Sequence, residues 1–334
     1  MHPSAAGAAA RHALRKIKRG AGTWAYNEGF VAAHRAGERH AVNHQRNAVA
    51  QEPPSRADPL PLNAWRDIEP VARTLLIPLR ARALGGAVFA QLDPHDAQAL
   101  QVLQACGPLA MAPLQDWPTA LHVLWRTQRI RQIGADFFAR HPDALGINLG
   151  AGLSSHFQWF DNGRNHWLDT DLASVVRLRR RLLPPQRRGG CRVLDLTRRG
   201  WWSALRLGPR QRRRPMLLIC EGVLMYLQPA QVKALLQEVG EHAPAGSELV
   251  FDFISPLGVG WAAWHPSVGP TGAQFQWGWS AGQSLPSAHT RLHCRACWDV
   301  KEAYGLAGLC AQWWLTPLWR GPLYGLAHLE VQGP

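Results

Sequence analysis

The residues best placed to do chemistry begin with a glycine-rich turn. Ile147-Asn148-Leu149-Gly150-Ala151-Gly152-Leu153-Ser154-Ser155 reads as a strand that runs into Gly-x-Gly, with a helix starting at the serines. Glycines there let backbone N–H groups come close to a ligand, and Ser154 or Ser155 can cap the helix. A Gly-x-Gly is also ordinary turn chemistry, so the next strand matters. His166-Trp167-Leu168 runs into Asp169-Thr170-Asp171, setting acids 19 and 21 residues after Gly150. A carboxylate at that position accepts hydrogen bonds from ribose hydroxyls, or caps the helix that follows. The pair of features suits either a nicotinamide dinucleotide or S-adenosylmethionine. The dinucleotide fingerprint carries a third Gly three residues after the second, where this chain has Ser155. Further on, Met216 to Cys220 reads as a strand ending in Glu221-Gly222-Val223-Leu224-Met225-Tyr226-Leu227. A carboxylate there would repel a pyrophosphate and attract a sulfonium and an ammonium. The methyl donor is the better match.

These residues need elements that bring strand ends together. From about Asp67 apolar residues recur at helical spacing: Ile68, Val71, Leu75, Leu76 and Leu79, then Leu100 and Leu103, then Leu121 to Trp125. The period then shortens. Strands are predicted at 146–149, 166–168, 191–196, 216–220 and 248–254, with helices at 172–183, 201–207 and 228–240 between them. Pro229 suits the first turn of the last helix, and Gly240 its end. Alternation of this kind argues a doubly wound, mostly parallel sheet, and Pro322 to Val331 could close it antiparallel.

Length and charge narrow the rest. The chain has 334 residues, 46% of them apolar, and a formal charge of +14. That is ample for a real core and too apolar for wholesale disorder. No apolar run reaches the ~20 residues of a membrane span, and the basic start lacks the apolar stretch of a signal peptide. Six cysteines make no disulfide framework at this length, so a cytoplasmic location is expected. Residues 1–60, rich in Ala, Arg and His, read as a poorly ordered basic extension closed by Pro-rich positions. The domain proper is predicted over 61–334, helical over 61–140. Residues 254–282 form a Trp-rich insertion that could lie over a cleft. Cys294 and Cys297, beside His293, lack the further ligands of a zinc site, and no metal is expected. The charge itself is local: residues 177–214 hold fourteen Arg and one acid. Such a run is a solvated face, a patch for an acidic substrate or partner, or a phosphate track. No stacking-rich RNA-binding module accompanies it, so nucleic acid is the weakest of the three.

The Asn148–Leu153 turn, Asp169-Thr170-Asp171 and above all the Glu221–Leu227 run resemble the leucine carboxyl methyltransferase family, which includes polyketide O-methyltransferases of the tetracenomycin type. Leu76-Ile77-Pro78-Leu79 with Arg82, Trp125-Arg126-Thr127 and Phe251-Asp252 add to the likeness, which spans roughly 71–331. The resemblance implies a Rossmann-like, seven-stranded class I methyltransferase sheet with an antiparallel last strand and N-terminal helical additions. It implies S-adenosylmethionine as cofactor, with Arg126 on the methionine carboxylate. Gly150 and Gly152 would lie under the cofactor, Asp171 on ribose with Asp169 beside it, Asp195 and Leu196 at adenine, and Glu221 near the sulfonium and amino group.

One departure stands out. After Gly152-Leu153 the family usually has an acid and, two positions later, an Arg; here the chain reads Ser154-Ser155-His156. The expected function is O-methylation of a small, polyketide-like or aromatic molecule, at a carboxylate in preference to a hydroxyl, by positioning and without a dedicated base. A carboxylate is ionised at neutral pH and needs no base; a hydroxyl would need one, and His156, Tyr226 and His265 are the residues to consider. A nucleic-acid methyltransferase and a non-catalytic binding protein of the same fold are the alternatives.

Overall fold

A computed structural model describes residues 69–107, 110–280, 288–305 and 322–333, all within a unit that runs from Ala57 to Pro334. The basic segment 1–60 lies outside the described residues. Seven strands form one sheet: β1 Leu145–Leu149, β2 His166–Asp171, β3 Gly189–Val193, β4 Met216–Cys220, β5 Glu248–Ile254, β6 Leu292–Asp299 and β7 Tyr324–Val331. Their order is β3-β2-β1-β4-β5-β7-β6. The first five run parallel, while β7 pairs antiparallel with both β5 and β6. This is the class I methyltransferase sheet that the sequence led us to expect.

Helices α1 Pro70–Arg73, α2 Leu76–Leu84, α3 Ala97–Ala105 and α4 Trp117–Arg140 precede the sheet. Within it come α5 His156–Phe160, α6 Ala173–Leu182, α7 Trp201–Ala204 and α8 Pro229–His242. Strands β1, β4 and β5 are buried along their whole length, as apolar strands covered by helices on both faces must be. In α8, Pro229 occupies the first turn, and Gln231 Oε1 accepts from the Gln228 backbone N–H at 2.8 Å.

The order turns back between β1 and β4. Chain that leaves β1 continues to one side of the sheet, and chain that leaves β4 continues to the other. The loops after the two strands diverge and leave a crevice at their carboxyl ends.

Two local expectations change. The third strand covers 189–193 rather than 191–196, because its register against Trp167–Asp171 sets it earlier in the chain. Leu194 continues that ladder with one bond to Asp171 O, and Asp195 then turns the chain by accepting from the Thr197 N–H. As an edge strand β3, Gly189-Gly190-Cys191-Arg192-Val193, is largely exposed and carries little apolar signal, so the apolar flank after it misled the reading. The helix expected over 201–207 is a single turn, 201–204. The segment bearing Cys294 and Cys297 is β6, the other edge of the sheet.

Candidate active site

A cavity of about 890 Å³ fills the crevice between the β1 and β4 ends, within the ordinary range for a small-molecule site. The loops after β1 to β4 form its floor, and α1, α2, α4 and residues 254–275 wall its far end.

The glycine turn is shaped by its backbone. Gly150 and Gly152 have φ of +75° and +49°, a region L side chains rarely occupy. A Cβ on Gly150 would stand 2.4 Å from Val223 Cγ2, on the loop after β4. Two buried arginines also tie the turn down. Arg179 Nη1 donates to Gly152 O at 2.7 Å, and Arg179 Nη2 pairs with Asp169. Arg82 Nη2 donates to Leu153 O at 2.7 Å, while Arg82 Nε pairs with Asp96 at 3.0 Å. Asp96 in turn accepts from Ser155 Oγ at 2.9 Å. Ser155 precedes α5 but makes no side-chain cap; its hydroxyl joins α3 to the turn instead. Ser154 is bound by Asn148 Nδ2 at 2.7 Å and also leaves the helix uncapped.

The two acids of β2 therefore part company. Asp171 lines the cavity and accepts from Gly152 N and Leu172 N, each at 2.7 Å. Burial pushes its carboxyl above the ordinary range despite those two donors. Asp169, one strand repeat deeper on the same face, does not reach the cavity. It is buried against Arg179 and the Trp167 indole, whose Nε1 donates at 2.9 Å. The expected place of Asp169 beside Asp171 at the ribose is thus corrected to a support under the turn. Asp195, Leu196 and Thr197 line the opposite end. Burial works to raise the Asp195 carboxyl, but bonds from Thr197 and Arg198 outweigh it and leave it low.

The densest chemistry lies after β4. Arg126 Nε donates to Glu221 Oε1 at 2.7 Å, and Arg126 Nη1 donates to Asp252 Oδ2 at 2.7 Å and to Tyr324 OH at 2.8 Å. Asp252 also accepts from Tyr324 OH at 2.6 Å and from the Gly222 N–H at 2.5 Å. Arg126 Nη2 makes no bond to any described residue, and Arg126 lines the cavity. On the other side of Glu221, His156 Nε2 lies 2.9 Å from Oε2, off the line of an ideal hydrogen bond. His156 Nδ1 is 3.1 Å from Asn148 Nδ2. An amide N–H facing Nδ1 puts a proton on Nε2, the nitrogen that faces Glu221. Burial alone would raise the Glu221 carboxyl; Arg126 and His156 together drive it far below its ordinary value. His156 thus occupies the departure position as a fully buried link rather than an exposed one.

Residues outside the sequence reading complete the site. His122 lines the cavity and stacks on Tyr324, ring centroids 5.2 Å apart and planes 10° from parallel. Its spacing of four from Arg126 on α4 puts both on one helix face, a signal present in the sequence. Tyr324, 198 residues from Arg126, gave no such signal. His265 Nδ1 accepts from Ser267 N and Val268 N at 3.2 Å each, and its Nε2 lies 3.3 Å from Thr119 Oγ1. Trp261 and Trp264 stand at the cavity rim, 65% and 83% exposed, whereas Trp277 and Trp279 are buried. Of the Arg run, Arg179 is buried under the glycine turn, and Arg177, Arg180, Arg181, Arg199 and Arg213 are exposed around the β3 edge. Among the described residues no group of three or more His, Cys, Asp or Glu could hold a metal, and no helix is long and apolar enough to cross a membrane.

Comparison with known proteins gives this constellation a family. The family model for leucine carboxyl methyltransferase matches residues 96–240. The tetracenomycin polyketide synthesis O-methyltransferase TcmP of Streptomyces glaucescens is 31% identical over 188 residues, covering 55% of this chain and 67% of that protein. The S-adenosyl-L-methionine-dependent methyltransferase dpfgK of Gibberella zeae is 32% identical over 127 residues, 35% of this chain and 41% of that protein. Among solved structures, a putative methyltransferase from Thermobifida fusca covers 85% of this chain and 100% of its own, with 14% identity and a TM-score of 0.44. Sequence identity over that span of TcmP settles the assignment: this chain belongs to the leucine carboxyl methyltransferase family and is an S-adenosylmethionine-dependent methyltransferase.

Proposed function

We propose that the chain methylates an oxygen of a small aromatic molecule, a carboxylate in preference to a hydroxyl, by alignment and without a dedicated base. The residues present fit the cofactor. A Cβ would fill the cradle at Gly150, and Asn148 presents a buried Oδ1 without a partner on the cavity wall. The donor set is graded in charge along the cavity. Arg126 Nη2 suits the methionine carboxylate, as a forked guanidinium does. Glu221 suits the positive end, Asp171 the ribose, and Asp195 with Leu196 the adenine. When bound, S-adenosylmethionine supplies a methyl group on a positively charged sulfur.

One observation carries the choice of acceptor: among the described residues, no titratable group lining the far end is placed and tuned to remove a hydroxyl proton. Burial lowers His122 to about 4, so its lone pair is a weak base. Burial also lowers His265, despite Asp116 nearby, and its Nδ1 is occupied by two backbone N–H groups. Both His156 nitrogens face buried partners. Burial raises Tyr226 to about 12, which keeps the phenol protonated. A base works best with a pKa near the working pH, which His122 and Tyr226 lack, while the ring nitrogens of His265 and His156 are taken up by neighbouring groups. A carboxylate arrives already ionised. What the chain then supplies is orientation in a site walled by Val268, Phe275, Trp261 and Trp264, a contribution of roughly 7–11 kcal/mol in well-aligned systems.

The test is methyl transfer from labelled S-adenosylmethionine to matched aromatic acids and phenols. Label in base-labile esters supports the reading; label only in base-stable ethers would remove the carboxylate preference.

A further inference from the structure

The far end of the cavity is apolar except for a few polar groups, and His122 is one whose hydrogen bonding is incomplete among the described residues. Its Nε2 lies 2.8 Å from Tyr304 OH. Its Nδ1 has no hydrogen bond to any described residue, although the ring lines the cavity. The ring is fixed on both sides. It stacks on Tyr324, which is anchored by Arg126 and Asp252, and meets Tyr304 edge-on with centroids 5.9 Å apart. A held imidazole with one nitrogen unspent, one helical turn from the Arg126 cofactor contact, is a receptor for a substrate atom.

We propose that His122 receives the acceptor's carboxylate, donating from Nδ1–H to one oxygen while the other oxygen attacks the methyl carbon. This rests on the carboxylate reading above. Tyr304 OH donates to Nε2 in this arrangement, which places the ring proton on Nδ1. The new O–CH3 bond forms as the S–CH3 bond breaks, the pair of electrons stays on sulfur, and no proton moves. His122 remains neutral throughout. It orients the acceptor and selects an acid over an alcohol, since the N–H rewards a full negative charge more than a neutral hydroxyl. His265 cannot share the task, because backbone donors fill its Nδ1 and Thr119 faces its Nε2.

The experiment compares the full chain with its H122A, H122N and H122Q variants, using 2-naphthoate and 2-naphthol as acceptor probes and labelled S-adenosylmethionine. Calorimetry with S-adenosylmethionine reports cofactor affinity for each, expected to be equal. In the wild type, 2-naphthoate is the better acceptor. H122A raises its KM about tenfold or more, as loss of a hydrogen bond to a charged group should, with a smaller change in kcat. H122N restores most of the affinity, since its amide N–H stands where Nδ1–H stood, and H122Q does not. An H122A variant with wild-type KM, equal rescue by Asn and Gln, or loss of cofactor affinity in H122A would overturn the role of His122 alone. A wild type that methylates 2-naphthol and spares 2-naphthoate, or accepts neither, overturns the carboxylate reading with it.

Discussion

Arg126 and Glu221 are 95 residues apart in sequence and 2.7 Å apart in the fold, both almost wholly buried. That bond joins α4 to the loop after β4 at the place where the sheet order turns back. It also sets the charge of the cavity's central region. Arg126 balances Glu221 and Asp252 together, so the three groups leave one net negative charge toward a cationic ligand.

Arg126→Ala strips the partner from two buried carboxylates. Losing one member of a buried pair costs about 3–5 kcal/mol, so a marked fall in Tm is expected along with lost cofactor affinity. Arg126→Lys keeps the charge but not the fork, and should recover stability more than affinity. Thermal scans and calorimetry on both variants check this, and unchanged stability in Arg126→Ala would contradict it.

The two β2 acids should fail differently. Asp169→Asn leaves Arg179 buried without its ion pair, a cost of about 3–5 kcal/mol in stability. Asp171→Asn removes a charged acceptor at the cavity wall and should weaken cofactor binding by about 1.5–3 kcal/mol. If Asp169→Asn lowered affinity more than Asp171→Asn while leaving Tm alone, the division of roles would be wrong.

His122 gives the fold a defined acid response. Its folded-state value is lowered from 6.5 to about 4 by burial, with Arg126 assisting. The unfolded chain binds a proton that the folded chain refuses, so this contribution to stability falls as pH drops from 6.5 toward 4. Glu221 acts in the same direction at lower pH: its contribution is present above 4.5 and is lost as pH falls below that. Stability curves of H122N should be flatter than wild type between pH 6.5 and 4. An NMR titration placing the His122 midpoint at its ordinary value would refute the assignment.

Trp264 is 83% exposed and lines the cavity rim. Trp264→Ala should alter stability by less than about 0.5 kcal/mol while raising the KM of an aromatic acceptor, since the lost surface is at the mouth. A variant with wild-type KM would mean the rim takes no part in acceptor binding.

Much of this site could be read before the structure, for physical reasons. Strands β4 and β5 are apolar runs bounded by turns, buried on both faces, and their limits matched the sequence. The Gly150–Gly152 turn and the acid of Asp171 announce themselves because only certain residue types serve there. What stayed hidden depends on long-range pairing. The parting of Asp169 from Asp171 follows from Arg179, whose place in a run of surface arginines concealed a buried role. The anchoring of Tyr324 on Arg126 and Asp252 exists only once β7 inserts between β5 and β6. Edge strands β3 and β6 were blurred because they are largely exposed and lack the continuous apolar run of the central strands.

On the proposed reading, this cavity holds S-adenosylmethionine through Arg126 and Glu221. Isothermal titration of the purified chain with S-adenosylmethionine tests it most directly. One-to-one binding with a Kd on the order of micromolar, abolished in Arg126→Ala and intact in Trp264→Ala, is the expected result. No heat of binding in the folded wild-type chain, or full affinity in Arg126→Ala, would contradict the account.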